Sequence, residues 1–280
     1  MKLLRVGKKG NEKPAVLDKN GKIKDISSHI NDLNPDHLNF ETISKLQSLD
    51  FSSLPEIESS ERIGSCITKP GKFVAIGLNF SDHAKESNLP VPTEPITFMK
   101  ATSSINGPND NIEIVSGSKK LDWEVELGIV IGKETKHISE DQSQNHILGY
   151  CLVNDISERE WQIEKMGQWV KGKSHDTYGP IGPYLVTKDE IPDINNLNMT
   201  LDVNGKRMQT GNTSTMIFNV DVIVSYLSKF MSLQPGDIIT TGTPPGVGMG
   251  MKPQQFLKEG DEMKLSIENL GEQNSKVVSI

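Results

Sequence analysis

The 280-residue sequence predicts a mainly β fold with some α-helix, an α+β class, in two parts: a small β-rich N-terminal domain over residues 1–70 and a larger β domain over 71–280. Three observations predict it. Apolar runs of strand length alternate with Gly, Pro and Asn turns along most of the chain. Helical spacing appears in only a few short stretches. A polar, Ser-rich segment carrying Pro55, SSLPEIESSER (52–62), separates the two parts.

Taken in order, Lys2 to Val6, Pro14 to Asp18 and Lys22 to Ile26 read as strands. Asn20-Gly21 between the last two is the pair a type I′ hairpin favours, because both central positions of that turn need positive φ. Phe40, Ile43 and Leu46 recur at helical spacing. After Lys72 the strand candidates are FVAIGLN (73–79), ITFMK (96–100), LDWEVELGIVIG (121–132), ILGYCLVND (147–155), GPYLVT (182–187), LNMTLDVNG (197–205), DIITTG (237–242) and MKLSIEN (263–269). Two helices interrupt them. Ser81 caps a short one from Asp82 to Ser87, stopped before Pro90, and a second runs from Asn219 to Phe230 with Ile223, Val224, Leu227 and Phe230 on one apolar face. So few helices among so many strands favour a mostly antiparallel sheet over a doubly wound one.

Composition excludes several functions. Thirty Lys and Arg against 37 Asp and Glu give a net charge of −7, with no basic block, so the chain lacks the clustered cations a nucleic-acid binder needs. No stretch reaches the roughly 20 apolar residues of a membrane span. The N-terminus carries charge from Arg5 onward, too early for a secretory leader, so a cytoplasmic location is expected. Cys66 and Cys151 are the only cysteines and form no CxxC, which argues against a disulfide scaffold or a zinc ribbon.

The most informative segment is LDWEVELGIVIG. On a strand, Asp122, Glu124 and Glu126 share one face and Trp123, Val125 and Leu127 the other. An E-x-E pattern alone is more often an edge strand with a solvated face. Here, however, the apolar run from Leu127 to Ile131 carries the strand inward, and buried like charges need a cation or a proton. A second apolar strand ends at Asn154-Asp155, where another carboxylate can join Glu124 and Glu126. An oxygen-only donor set favours Mg²⁺, Mn²⁺ or Ca²⁺ over zinc, and the six histidines show no paired ligand spacing.

Other candidates are weaker taken singly. His83 and Glu86 lie three apart in NFSDHAKE, one helical face, where a carboxylate can orient an imidazole as a general base; a surface His–Glu pair is the commoner meaning. The proline-rich SNLPVPTEP that follows suits a lid hinge. In WVKGKSHDTYGPIGP a lysine beside a metal would stabilise developing negative charge, and spacing does not separate Lys171 from Lys173. Arg159 and Gln162 follow Asp155 by four and seven residues, one side of a helix, and Arg159 is suited to a substrate carboxylate. TGTPPGVGMG (241–250) fails the phosphate-loop tests and reads as a rigid loop whose Thr243 can meet a ligand. There is no G-x-S-x-G elbow.

These segments together resemble the fumarylacetoacetate hydrolase family from Lys72 to the C-terminus. The resemblance is carried in order by GLNFSDHAKE (77–86), the EVE of LDWEVELG, Asp155 in NDISERE, KGKSHDTYGPIGP (171–183), QTGNTSTMIF (209–218) and LQPGDIITTGTPPGVG (233–248). The extra N-terminal segment is similar to that of longer bacterial members, among them sugar-acid diketonate hydrolases and acylpyruvases. The resemblance implies a β-sandwich roll, a homodimer, and Mg²⁺ or Mn²⁺ held by Glu124, Glu126 and Asp155, with Asp122 outside the set. It implies a water-activating dyad of His83 and Glu86 on a lid, Lys173 rather than Lys171 in the active site, and Arg159, Gln162 and Thr243 as substrate contacts. The implied substrate is a small anionic keto acid: a 2,4-diketo acid cleaved hydrolytically, with oxaloacetate-type decarboxylation or diene-dioate isomerisation as alternatives and a non-catalytic metal-binding module as a third. Two positions depart from the pattern: His175 stands where relatives usually carry an aromatic residue, and Phe80 replaces a common Tyr.

Overall fold

β-Strands dominate the chain in a computed structural model that describes residues 1–82 and 90–280. The N-terminal strands are β1 (Lys2–Val6), β2 (Lys13–Leu17), β3 (Ile23–Asp25) and β4 (Glu56–Ile57), followed by β5 (Phe73–Gly77) and β6 (Ile96–Lys100). The middle of the chain supplies β7 (Ile105–Asn106), β8 (Ile112–Ile114), β9 (Leu121–Asp122), β10 (Val125–Ile131), β11 (Ile147–Asn154), β12 (Ser157–Glu158), β13 (Gly179–Pro180) and β14 (Leu185–Thr187). The last third supplies β15 (Asn198–Val203), β16 (Lys206–Asn212), β17 (Ile238–Thr240), β18 (Glu262–Ile267) and β19 (Gly271–Ser279). The α-helices given within the described residues are α1 (Phe40–Gln47), a single turn α2 (Val170–Lys173) and α3 (Val220–Ser228).

Two large sheets form. The first has ten strands in the order β4-β3-β2-β1-β14-β11-β10-β17-β5-β6, and the second has five, β16-β15-β18-β19-β8. Pairing is antiparallel except at β17–β5, β19–β8 and β13–β7. The sheets face each other across the main core, where Leu127, Ile129 and Ile131 of β10 meet a cluster that includes Leu201 of β15 and Leu265 of β18. On the other side of the first sheet, Val130 and Cys151 join Leu3, Val16, Ile43 and Leu46 in a second core. The sheet that carries the acidic segment is therefore buried on both faces. That is why β10 is apolar throughout apart from Glu126 and Gly128.

Helices α1 and α3 form where they were expected; α2 was not expected, and the helix expected from Asp82 to Ser87 runs outside the described residues. Asn39 caps α1 by accepting from the Thr42 amide, and Asn219 caps α3 by accepting from the Asp221 and Val222 amides. Three local expectations are corrected. Asn20 keeps negative φ, and only Gly21 is left-handed (φ 77°), so the β2–β3 loop is a type I turn closed by a glycine bulge rather than type I′; the Asp18 carboxylate accepts from the amides of Asn20 and Lys22 within it. Helix α3 ends at Ser228, leaving Phe230 56% exposed with its ring edge-on to Tyr226. The acidic segment is not one continuous strand, since pairing breaks at Trp123 and Glu124 between β9 and β10.

The segment over residues 1–70 shares its sheet with the rest of the chain. Leu3 of β1 pairs with Leu185 of β14, and the Met1 amino group donates to Thr187. The polar stretch read as a linker is tied down by Arg62, which bonds both Asp110 and Glu12. A shared sheet predicts shared unfolding. Leu3→Ala, at a fully buried position, is expected to lower stability by about 2–5 kcal/mol. Because Trp123, Trp161 and Trp169 all lie beyond residue 70, the check is whether tryptophan fluorescence and far-UV circular dichroism shift together in one denaturant transition. An unchanged fluorescence midpoint would show two independent units.

Candidate active site

The register of one strand pair assembles the acidic centre. Val125 at the start of β10 lies opposite Asn154 at the end of β11, so Glu124 and Asp155 are the next facing residues, and the Asp155 amide donates to the Glu124 carbonyl at 2.9 Å. Glu126, two residues along from Glu124, is brought to the same side. Each of Glu124, Glu126 and Asp155 offers an oxygen within 4.8 Å of the others, and all three are buried.

Four carboxylates and three cations share this interior. Asp122 lies outside the set of three: it accepts from the amides of Trp123, Gly248 and Met249 and from Arg159 Nε at 2.8 Å. Arg159 then reaches Glu124 Oε1 at 2.6 Å and Gln162 Oε1 at 3.0 Å. Lys173 Nζ donates to Glu124 Oε2 at 2.7 Å and Asp155 Oδ2 at 2.6 Å. Glu126 receives the Gly242 amide at 3.0 Å and makes no ion pair among the described residues.

The ionisation of the two glutamates diverges accordingly. Burial works against charge on Glu124, but Lys173 and Arg159 outweigh it and hold the carboxyl well below its ordinary range. Burial and the neighbouring Asp155 and Glu124 push Glu126 well above its ordinary value. Burial disfavours the Lys173 ammonium too, yet Asp155 and Glu124 keep it protonated above the usual lysine range. The centre is thus short of one positive charge, and the shortage falls on Glu126. Three hard oxygen donors in such a place fit Mg²⁺ or Mn²⁺, and each carboxylate oxygen that already accepts one hydrogen bond keeps a lone pair for a cation.

A cavity of about 460 Å³ opens over this centre, lined in part by Glu124, Glu126, Arg159, Gln162, Lys173 and Thr243. The structure therefore brings together Lys173, Arg159, Gln162, Thr243 and the three carboxylates. Lys173 is separated from Lys171 by burial: Lys173 is 1% exposed, whereas Lys171 lies on the surface and donates to the Lys165 carbonyl. Gly172 makes this possible, because a Cβ there would stand 2.3 Å from the Glu158 carbonyl oxygen; only glycine lets α2 sit so close to β12. Arg159 and Gln162 are not on an ordinary α-helix. The strand β12 intervenes after Asp155, and residues 160–164 form a π-turn. Thr243 lines the cavity with its hydroxyl already donating to the Val125 carbonyl and accepting from Gln209. His175 packs between the rings of Trp161 and Tyr178, where burial lowers its pKa, and it is not part of the cavity wall. Phe80 is fully buried in the main core. His83 and Glu86 lie outside the described residues.

Sequence reasoning missed Lys100 and Gln209. Lys100, the last residue of β6, is 1% exposed and donates to Asp155 Oδ1 at 2.5 Å, the Lys173 carbonyl at 2.5 Å and the Ile156 carbonyl at 3.4 Å. The adjacent Ala101 amide donates to Ser174 Oγ at 2.8 Å, so β6 holds the end of α2 at two points. The available signal was a lysine closing the otherwise apolar run ITFMK. Gln209 accepts from the Val125 amide and donates to Thr243 and the Pro244 carbonyl, fixing the loop after β17 against the start of β10.

A buried centre of three carboxylates beside a lysine, at the floor of a cavity in a two-sheet β fold, could hold a hard divalent cation next to a small ligand. Comparison with known proteins agrees. A family model described as fumarylacetoacetate hydrolase, C-terminal, matches residues 72–278. A protein of Burkholderia ambifaria described simply as a hydrolase is 56% identical over 274 residues, covering 98% of this chain and 97% of its own. Fumarylacetoacetate hydrolase from Exiguobacterium antarcticum superposes with a TM-score of 0.88 at 33% identity over the whole of both chains. The 2-hydroxyhepta-2,4-diene-1,7-dioate isomerase of Mycobacterium marinum gives 0.79 at 31% identity over 100% of this chain and 98% of its own. Maleylpyruvate hydrolase from Sphingobium sp. SYK-6, solved with manganese(II) and pyruvate, gives 0.84 at 25% identity over 100% and 99%. The chain belongs to the fumarylacetoacetate hydrolase family, a family of hydrolases and isomerases.

Lys100 is expected to matter to the cation site through Asp155. Groups that hydrogen-bond a metal-ligating carboxylate typically carry 10–100-fold in affinity or activity. Lys100→Met should weaken Mn²⁺ binding, measured by calorimetry on the folded variant, by about that factor. Wild-type affinity in this variant would show that Asp155 is held in place without it.

Proposed function

We propose that the protein is a divalent-metal-dependent hydrolase that cleaves a carbon–carbon bond of a 2,4-diketo acid, an acylpyruvate or a 2,4-diketo-3-deoxy sugar acid, to pyruvate and a second carboxylic acid. We further propose that it acts as a cytoplasmic homodimer, with a small anionic keto acid as its partner and neither nucleic acid nor membrane. The observation that carries the hydrolytic reading is the Lys173 ammonium fixed between Glu124 and Asp155 at the cavity floor. Such a fixed cation stabilises an oxyanion without reorganising when charge develops.

In this reading Glu124, Glu126 and Asp155 would hold Mg²⁺ or Mn²⁺, which would supply Lewis acidity toward the keto-acid end of the substrate. Binding of the related maleylpyruvate hydrolase to manganese and pyruvate supports both the cation and the product class. His83, oriented by Glu86, takes a proton from water as the water oxygen bonds to the C4 carbonyl carbon. Lys173 stabilises the negative charge that forms on the C4 oxygen. Collapse of that adduct breaks the C3–C4 bond, its electron pair passes into the pyruvate enolate, and the proton held by His83 returns to C3. Arg159, Gln162 and Thr243 orient the substrate. Since the Arg159 guanidinium is already shared by Asp122, Glu124 and Gln162, its contact with substrate comes through the guanidinium edge left over, and its larger contribution is to keep Glu124 ionised.

The test is product analysis on the Mg²⁺- or Mn²⁺-loaded protein with acylpyruvates, a 2,4-diketo-3-deoxy sugar acid and oxaloacetate. Pyruvate plus a second acid from a diketo substrate is the expected result. Turnover of oxaloacetate alone would replace the reading with decarboxylation, and conversion of a diene-dioate without cleavage would replace it with isomerisation. Two variants separate the assigned roles. Glu124→Ala should lose metal and activity together, and His83→Ala should lose at least about 100-fold in kcat while keeping its metal. Equal metal loss in both would contradict the assignment.

A further inference from the structure

The wall of the cavity is less even-handed than its floor. From Lys173 outward, Nζ lies 5.1 Å from the Phe98 ring centroid, and Phe98 meets Trp169 edge-on at 5.2 Å. Trp169 in turn covers Gly77 so closely that a Cβ there would stand 2.5 Å from its ring. Exposure rises along this path: Lys173 is buried, Phe98 and Trp169 are half-buried, and Ile163 at the mouth is 47% exposed. Leu78 adds to the same side, and Met249 and Met251 line the cavity as well.

Among the described residues, and apart from Arg159 and Gln162, which orient the substrate in the reading above, polar side chains near this path are bonded to the backbone or lie in solvent. The Thr243 hydroxyl donates to Val125, Gln254 donates to the Met249 carbonyl, and Lys252 is exposed at the rim. A polyhydroxylated tail entering here would exchange water for aromatic and thioether surface and leave its hydroxyls without partners. An alkyl or aryl group would lose water at no such cost.

We propose that the cavity selects a 2,4-diketo acid whose acyl group is apolar, an acylpyruvate with a medium alkyl chain or an aromatic ring, and that the Phe98–Trp169 pair sets this preference. The inference rests on the diketo-acid reading above and narrows it, favouring acylpyruvates over sugar acids. The thioethers of Met249 and Met251 suit such a group because they adapt to its shape.

The experiment compares kcat/KM of the Mn²⁺-loaded full chain for acetylpyruvate, hexanoylpyruvate, benzoylpyruvate, succinylpyruvate and a trihydroxylated 2,4-diketo-3-deoxy acid. Hexanoyl- or benzoylpyruvate should exceed acetylpyruvate and the hydroxylated acid by at least about 10-fold. In Trp169→Ala the hexanoyl-to-acetyl ratio should fall toward one. Preference for the hydroxylated acid or for the dianionic succinylpyruvate would overturn the proposal, as would a ratio unchanged in Trp169→Ala. A second arm does not depend on turnover: calorimetric binding of pyruvate, 2-oxooctanoate and 4-phenyl-2-oxobutanoate to the Mn²⁺-loaded protein. Tighter binding of the two apolar 2-oxo acids, by about 10-fold or more, supports the apolar wall even if no diketo acid is hydrolysed. Equal affinity for all three overturns it.

Discussion

Everything in the site follows from placing Glu124 and Asp155 opposite each other at the end of one antiparallel pair inside a protein. Carboxylates packed together in a low-dielectric interior repel strongly, and each pays a desolvation penalty as well. The chain answers with cations drawn from three separate places: Lys100 from the end of β6, Arg159 from the turn after β12, and Lys173 from α2. Removing one partner from such a network typically costs about 3–5 kcal/mol, because the charge left behind has no solvent to turn to. The β6 edge, the π-turn and α2 are therefore bound to the β10–β11 pair by electrostatics as much as by packing.

The compensation stops one charge short. Asp122, Glu124, Glu126 and Asp155 face Lys100, Arg159 and Lys173, a formal count of 3 − 4 = −1 among these seven residues even with Lys100 taken as charged, a state its burial disfavours. Glu126 bears the deficit, since a backbone amide is its partner and its carboxyl is pushed up rather than down. A structural salt-bridge network has no reason to leave a buried carboxylate in that condition. A site for a cation does.

Much of this was legible in the sequence and some was not, for definite reasons. The E-x-E spacing and the Asn154-Asp155 ending exposed the carboxylates because strand geometry is local and has period two. Helices α1 and α3 were legible because Phe40, Ile43 and Leu46, and Ile223, Val224 and Leu227, recur at helical spacing, which is a local signal too. The choice of Lys173 over Lys171 was not legible from spacing, since it depends on which lysine α2 turns inward once Gly172 has let that turn approach β12. Lys100 stayed hidden because its partners lie 55 and 73 residues away. The continuity of the first sheet was hidden for the same reason: the β1–β14 pairing joins Leu3 to Leu185, and a polar stretch between them looks like a linker until Arg62 is seen bonded to both sides.

The two halves of the cavity make opposite demands on a ligand. Its floor, were a divalent cation added to the formal count of −1, would become net positive at +1 and would attract an anionic head, although the whole chain carries −7. Its wall, which includes Phe98 and Trp169, presents aromatic surface to the far end. The two demands are coupled at one contact, because the Phe98 ring that begins the apolar wall also covers Lys173 Nζ. An aromatic face there attracts the ammonium and keeps water off its side, which strengthens the field Lys173 exerts on the cavity floor. A single side chain thus contributes both to what the cavity admits and to how strongly its floor polarises it.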